Sequence, residues 1–245
     1  MNAQKKKVIL ITGATGNVGK EALLQLAKMS GRYEIRAFDL KTKKTVAIFD
    51  KLKERIKRRI KPKYGDITKM QTLEEATRGV DVTFHFASLI PPMAYNDPQL
   101  TEKINVGGTR NLIDSLERNS PGSFLLFSSS VAVYGDRIRN PEIRVGDPIC
   151  PSYGDNYAVT KVKMEQMVRE SKLNTCIFRL SAIMGAGNHH MSWKNGGNPL
   201  FSGRNSLASG ASGGGGFYAV CACSAACLAF SFGHRGRACR DEHCI

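Results

Sequence analysis

The chain has 245 residues, enough for one large domain or one domain with an appendage at about 150 residues per domain. Its 42% hydrophobic and 23% charged residues exclude a collagen-like, wholly disordered or disulfide-scaffold chain. A formal net charge of +15 raises a nucleic-acid or membrane-surface reading, which the rest of the pattern does not support.

In chain order, short apolar runs fall at 8–12, 34–38, 82–86, 123–128 and 175–180. They have the near-continuous apolar character of strands buried on both faces. Stretches with apolar residues recurring every three or four positions lie between them, at 20–29 and 106–118, and a further helix is expected over 157–171. Strand and helix alternating in this way predict an α/β domain, a doubly wound parallel sheet of Rossmann-like type. Residues 191–245 read differently: they hold 10 of the 24 glycines, the run 213–216 among them, and no sustained helical or strand period. The chain therefore divides into a dinucleotide-binding domain, 1–190, and a Gly/Ser/Cys-rich tail, 191–245, expected to be flexible or the aberrant end of a truncated product.

The basic stretch 51–63 carries eight Lys or Arg against one acid, Glu54. No aromatic residue interleaves for base stacking, so a solvated helix face followed by a thinly covered strand is favoured over a nucleic-acid surface. After Lys5-Lys6-Lys7 the apolar run is too short for a signal peptide. The longest uncharged apolar run, 217–232, falls short of the about 20 strongly apolar residues a membrane span needs. Sparse cysteines in the main body, Cys150 and Cys176, fit a reducing compartment. A cytoplasmic protein with no membrane or nucleic-acid partner is expected. Cys221, Cys223, Cys227, Cys239 and Cys244 lack the paired spacing of a zinc knuckle, so no metal is expected.

The first strand runs into Thr12-Gly13-Ala14-Thr15-Gly16-Asn17-Val18-Gly19 and a helical pattern starts at once. Gly13 permits a tight turn, Gly16 lets the backbone approach a pyrophosphate, and Gly19 lets the helix pack close to the strand. The helix N-terminus offers N–H groups and partial positive charge to phosphates. Asp39 ends the second strand, where its carboxylate can accept hydrogen bonds from ribose hydroxyls and would repel a 2′-phosphate. NAD is preferred over NADP, although Lys41, Lys43 and Lys44 nearby could tolerate the extra phosphate.

Tyr157 and Lys161 stand one helical turn apart, on one face. A neighbouring ammonium and an oxidised nicotinamide would favour the phenolate, bringing a group of ordinary pKa about 10 toward useful proton transfer. One of Ser128-Ser129-Ser130, at the end of an apolar strand, could donate a hydrogen bond to a substrate oxygen.

With these motifs in order over about 8–187, the chain resembles the extended short-chain dehydrogenase/reductases, the NAD-dependent epimerase/dehydratase group. Further matching segments are Gly65-Asp66-Ile67, His85-Phe86-Ala87-Ser88, Asn105-Val106-Gly107-Gly108-Thr109, Val133-Tyr134-Gly135 and the segment from Arg179 to Gly187. The resemblance implies that Ser130, Tyr157 and Lys161 are catalytic, with Tyr157 the acid/base and Lys161 lowering its pKa and holding the nicotinamide ribose. It places Asp66 and Ile67 at the adenine, Asn17 and Val18 at the pyrophosphate, and Phe86, Ala87 and Ser88 along the cofactor. Asn105 and Ser181 match further cofactor-proximal positions. It gives His85 a packing role and leaves a homodimer open, through a helix bearing Val159, Val162 and Met167, residues that could equally pack on the sheet. Ala182 stands where sugar-nucleotide enzymes of the group carry Asn, and Gly185-Ala186-Gly187 replaces Gly-Pro-Gly. The implied activity is an NAD-dependent oxidoreductase or epimerase/dehydratase acting on a hydroxyl or keto group of a small molecule. The alternative is a dinucleotide-binding module without turnover.

Overall fold

The computed structural model describes residues 6–28, 33–56, 60–137, 142–144, 146–184 and 218–221. Strands β1 (Lys7–Thr12), β2 (Tyr33–Asp39), β3 (Ile60–Tyr64), β4 (Val82–His85), β5 (Phe124–Ser130) and β6 (Asn174–Met184) pair in parallel. The sheet order is β3-β2-β1-β4-β5-β6, and β7 (Tyr218–Cys221) adds antiparallel to β6. The doubly wound expectation is met. Connections from β1 lead outward to β2 and those after β3 cross to β4, so the order reverses between β1 and β4. A crevice opens at the carboxyl ends of strands at such a reversal, and ligands of open α/β sheets bind there.

Two-residue alternation explains why the strands are apolar throughout. Val8 and Leu10 of β1 enter one core with Phe38, Leu112, Leu125, Phe127 and Met164. Ile9 and Ile11 enter the other, with Leu23, Ile35, Phe49, Phe84 and Leu126. Each face is covered by helices, so neither alternate set is polar. Helices α1 (Asn17–Lys28) and α2 (Lys43–Arg55) supply the second core, and α3 (Met70–Thr77), α6 (Gly108–Asn119) and α7 (Asn156–Glu170) the first. Short helices α4 (Met93–Asn96) and α5 (Pro98–Glu102) lead through a π-turn, Lys103–Gly107, into α6.

One feature departs from the sequence expectations. β7 lies in the tail, where no strand period is legible; it takes its place by pairing Leu180 with Cys221 and Met184 with Tyr218. Met167, a candidate for a contact between copies, is buried in the first core, whereas Val159 is 40% exposed. The described part of the basic stretch 51–63 divides between α2 and β3, as a helix followed by an edge strand. Lys61 and Lys63 flank Pro62 there and pair with Glu34 and Glu75, chemistry that discourages a further strand from adding.

Candidate active site

β1 hands the chain to α1 through a turn in which Gly13 has φ +65°. A Cβ there would lie 2.6 Å from the Ala87 nitrogen, so the turn closes on the end of β4 only because residue 13 has no side chain. A Cβ on Gly19 would overlap the Gly13 carbonyl oxygen, so α1 can start this close to β1 only with glycine. The first turn of α1, with Asn17, Val18 and Gly19, thus starts directly at the carboxyl end of β1, and the N-terminus of a helix offers free N–H groups to an anion. Asp39 sits across the turn: its carboxylate accepts from the Thr15 amide at 2.9 Å, the Thr15 hydroxyl at 2.7 Å and the Leu40 amide at 2.9 Å. A carboxylate has about four acceptor positions, so capacity for a ribose hydroxyl remains.

At the next strand end a chain of buried hydrogen bonds fixes several groups at once. Thr109 Oγ1 donates to the Asn105 carbonyl at 2.6 Å, so it accepts from His85 Nε2 at 2.9 Å. The proton on Nε2 leaves His85 Nδ1 as the acceptor for Thr12 Oγ1 at 2.7 Å. Thr12 Oγ1 in turn accepts from the Ala87 amide at 3.3 Å. His85 therefore links β1, β4 and α6 as a neutral ring. Burial first, and then the Lys161 charge, depress it to about 3. This yields a stability prediction. The unfolded imidazole binds its proton near pH 6.5 and the folded one only near 3, so the unfolded state carries more protons between those values. Folding stability should fall as pH drops through that window, by up to about 1.4 kcal/mol per unit. Urea denaturation at stepped pH checks this, and His85→Asn should flatten the slope.

Asn105, also fully buried, spans two segments: its Oδ1 accepts from the Leu89 amide at 2.7 Å, and its Nδ2 donates to the Leu89 carbonyl and to Thr160 Oγ1, each at 3.1 Å. Thr160 donates to the Tyr157 carbonyl at 2.8 Å. The loop after β4, which carries Phe86, Ala87 and Ser88, is thereby tied to the helix that carries Tyr157. Asp66 accepts from the Thr68 amide and hydroxyl at 2.9 and 2.8 Å. Burial works to raise its pKa, but these bonds and the charges of Lys69 and Lys103 leave it lowered. Ile67 is buried against Gly108 at the start of α6.

Tyr157 lies in the first turn of α7, with Ser130 at the end of β5 near enough to act on its phenol. Ser130 also accepts from the Ala132 amide at 3.2 Å, which holds its side chain at the strand end. Lys161, one turn further, is buried; its Nζ donates to the Ser128 carbonyl at 2.9 Å and lies 5.7 Å from the centre of the Tyr157 ring. Burial lowers the Lys161 ammonium to about 7, with Glu165 acting in the opposite sense. Burial also pushes the Tyr157 phenol up to about 12; Ser130 opposes the rise, and Asp155 and Tyr95 add to it. The lowering of Tyr157 expected from Lys161 is thus outweighed in this arrangement. Burial dominates, and the ammonium is directed at a carbonyl oxygen rather than the phenol.

A buried polar cluster unnoticed in the sequence backs this group. Arg179 of β6 forks onto Glu165 of α7, Nε to Oε1 at 2.9 Å and Nη2 to Oε2 at 2.7 Å. Its Nη1 donates to the Tyr134 hydroxyl at 2.5 Å, and the guanidinium lies 4.9 Å from that ring's centre. Glu165 continues the helical face of Tyr157 and Lys161 at spacing four, which was the available signal: a carboxylate on a buried face requires a partner. Ser181 lies on β6 just beyond the Ser130–Leu180 register pair. Gly185 to Gly187 lie outside the described residues.

The model of the 3-beta hydroxysteroid dehydrogenase/isomerase family matches residues 10–195. Mouse 3 beta-hydroxysteroid dehydrogenase type 7 is 28% identical over 200 residues, 75% of this chain and 52% of that protein. An uncharacterized membrane protein of Methanocaldococcus jannaschii is 36% identical over 134 residues, 54% of this chain and 39% of that one. Among solved structures, a short-chain dehydrogenase/reductase superfamily protein from Agrobacterium tumefaciens with bound NAD is 27% identical. It superposes with a TM-score of 0.53 over 70% of this chain and 48% of its own. The chain spans about half the length, or less, of these curated relatives. Among the described residues no helix is long and apolar enough to cross a membrane. The match over 10–195, together with the glycine turn, Asp39 and the Ser130–Tyr157–Lys161 group, places this chain in the 3-beta hydroxysteroid dehydrogenase/isomerase family.

Proposed function

We propose that the chain binds NAD at the β1/β4 crevice and acts as an oxidoreductase on a secondary hydroxyl or keto group of an apolar small molecule. The observation that carries the reading is that α7 brings Tyr157 and Lys161 to the carboxyl end of β5, with Ser128 and Ser130, on the same end of the parallel sheet as the glycine turn after β1. In it, Gly13, Gly16 and the α1 N-terminus with Asn17, Val18 and Gly19 hold the pyrophosphate, and Asp39 holds the adenosine ribose. Asp66 and Ile67 flank the adenine; Phe86, Ala87, Ser88, Asn105 and Ser181 bound the cofactor; Lys161 holds the nicotinamide ribose. Bound NAD supplies the hydride acceptor and a positive ring. Ser130 orients the substrate oxygen and Tyr157 exchanges its proton with that oxygen. The names of the relatives favour a steroid-like alcohol. Exposed Ile90, Met93 and Ile149, on segments following β4 and preceding α7, suit such a substrate.

The test is incubation with NAD and a panel of apolar secondary alcohols, 3-hydroxysteroids included, followed by the absorbance of reduced nicotinamide. Accumulation with one of them is expected; none with any member would overturn the assignment as a dehydrogenase. Cofactor choice gives a second expectation. Asp39→Ser removes the charge that would repel a 2′-phosphate, so NAD affinity should fall by about tenfold or more, the worth of a charged hydrogen bond, while NADP affinity rises. Calorimetry with both cofactors reads the two changes.

A further inference from the structure

We propose that Thr15 is a positioning residue for the cofactor: its hydroxyl fixes the Asp39 carboxylate so that Oδ1 is left to take a ribose hydroxyl, and this sharpens the choice of NAD over NADP. The inference deepens, and rests on, the reading of the β1/β4 crevice as an NAD site. The glycine turn and the end of β2 are joined at two neighbouring residues. The Ala14 amide donates to the Phe38 carbonyl at 3.4 Å. Thr15 then donates twice to Asp39 Oδ2, from its amide at 2.9 Å and from its hydroxyl at 2.7 Å. The Leu40 amide donates to Oδ1 at 2.9 Å. An ionised carboxylate offers about two acceptor positions on each oxygen, so Thr15 fills Oδ2 and Oδ1 keeps about one position for a ligand.

Two of these three bonds come from backbone amides, which any side chain would leave in place. The Thr15 hydroxyl is the one that residue type decides. Nearby cations are placed otherwise: Lys41 Nζ lies 5.9 Å from the centre of the Tyr64 ring, and Lys43 and Lys44 stand in the first turn of α2. A carboxylate already held in one orientation loses less freedom when the ribose arrives. Held there, its charge also cannot swing away from a 2′-phosphate. Freed from the hydroxyl, Asp39 becomes both a poorer acceptor for NAD and a weaker barrier to NADP.

The experiment is calorimetric titration of the full chain with NAD and with NADP, as wild type, Thr15→Val, Thr15→Ser, Asp39→Ser and the double variant Thr15→Val with Asp39→Ser. Valine keeps the branched shape of threonine and lacks the hydroxyl. Thr15→Val should weaken NAD binding by about threefold to tenfold, the worth of one side chain ordered in advance, without weakening NADP binding. Thr15→Ser, which keeps a hydroxyl, should bind both nucleotides as wild type does. With Asp39→Ser already in place, Thr15→Val should change neither affinity, since its partner is gone. An equal loss for both nucleotides, or a loss that persists without Asp39, would overturn the proposal and make Thr15 a support of the turn alone. Wild type that binds NAD while Thr15→Val matches it in both affinities removes only Thr15. Folded wild type that takes up neither nucleotide brings down the cofactor reading, and this proposal with it.

Discussion

Tyr157→Phe should reduce turnover by about 100- to 10,000-fold, the usual worth of a positioned acid/base, while leaving NAD affinity little changed. The asymmetry follows from placement. The phenol meets Ser130 at the end of β5, whereas the glycine turn, α1 and Asp39 stand at the β1 and β2 ends and do not involve residue 157. The ring remains in phenylalanine, so its place 5.7 Å from the Lys161 Nζ is kept, and stability should change by about 1 kcal/mol or less. Steady-state rates and calorimetry on the same preparation check both halves. A variant that loses cofactor binding in step with turnover would mean that residue 157 supports the site's structure rather than its proton transfer.

The second large effect concerns stability. Arg179→Ala should destabilise the fold by about 3–5 kcal/mol, because it strips Glu165, 2% exposed, of its forked partner and leaves it the looser contact to Arg169 at 3.7 Å and the charge of Lys161. The forked pair joins β6 to α7, and the Tyr134 hydroxyl carries the link to the turn after Ser130. Replacing both partners, Arg179→Met with Glu165→Leu, should recover much of the loss, since the penalty lies in the unpaired charge rather than in the missing attraction. Urea denaturation midpoints of the three proteins decide it. If Arg179→Ala costs less than 1 kcal/mol, the pair is not the buried anchor described.

The sheet was legible because its physics is local. Val8 to Thr12 must be buried on both faces, and a run of that kind between a basic start and a glycine turn admits little else. The glycine turn was legible for the same reason, since Gly13 and Gly19 answer to neighbours a few residues away or to the one strand beside them. α3 gives only a brief signal, because its eight residues span little more than two turns. The hidden parts depend on partners distant in sequence. Glu165 with Arg179, and His85 between Thr12 and Thr109, each join elements that only the crossovers of the sheet bring together. β7 had no local signal; its pairing with β6 defines it. Site chemistry followed the same division. The residue types and spacing of Tyr157 and Lys161 pointed to proton transfer, yet the state of the phenol depends first on burial, which spacing does not carry.

The central claim is that the β1/β4 crevice holds NAD. Calorimetric titration of the folded chain with NAD, beside the same titration with NADP and with a Gly13→Val variant, tests it most directly. Saturable binding of NAD, weaker binding of NADP, and none by the variant, whose side chain would occupy the space against Ala87, are expected. Folded wild-type protein that takes up neither nucleotide would contradict it.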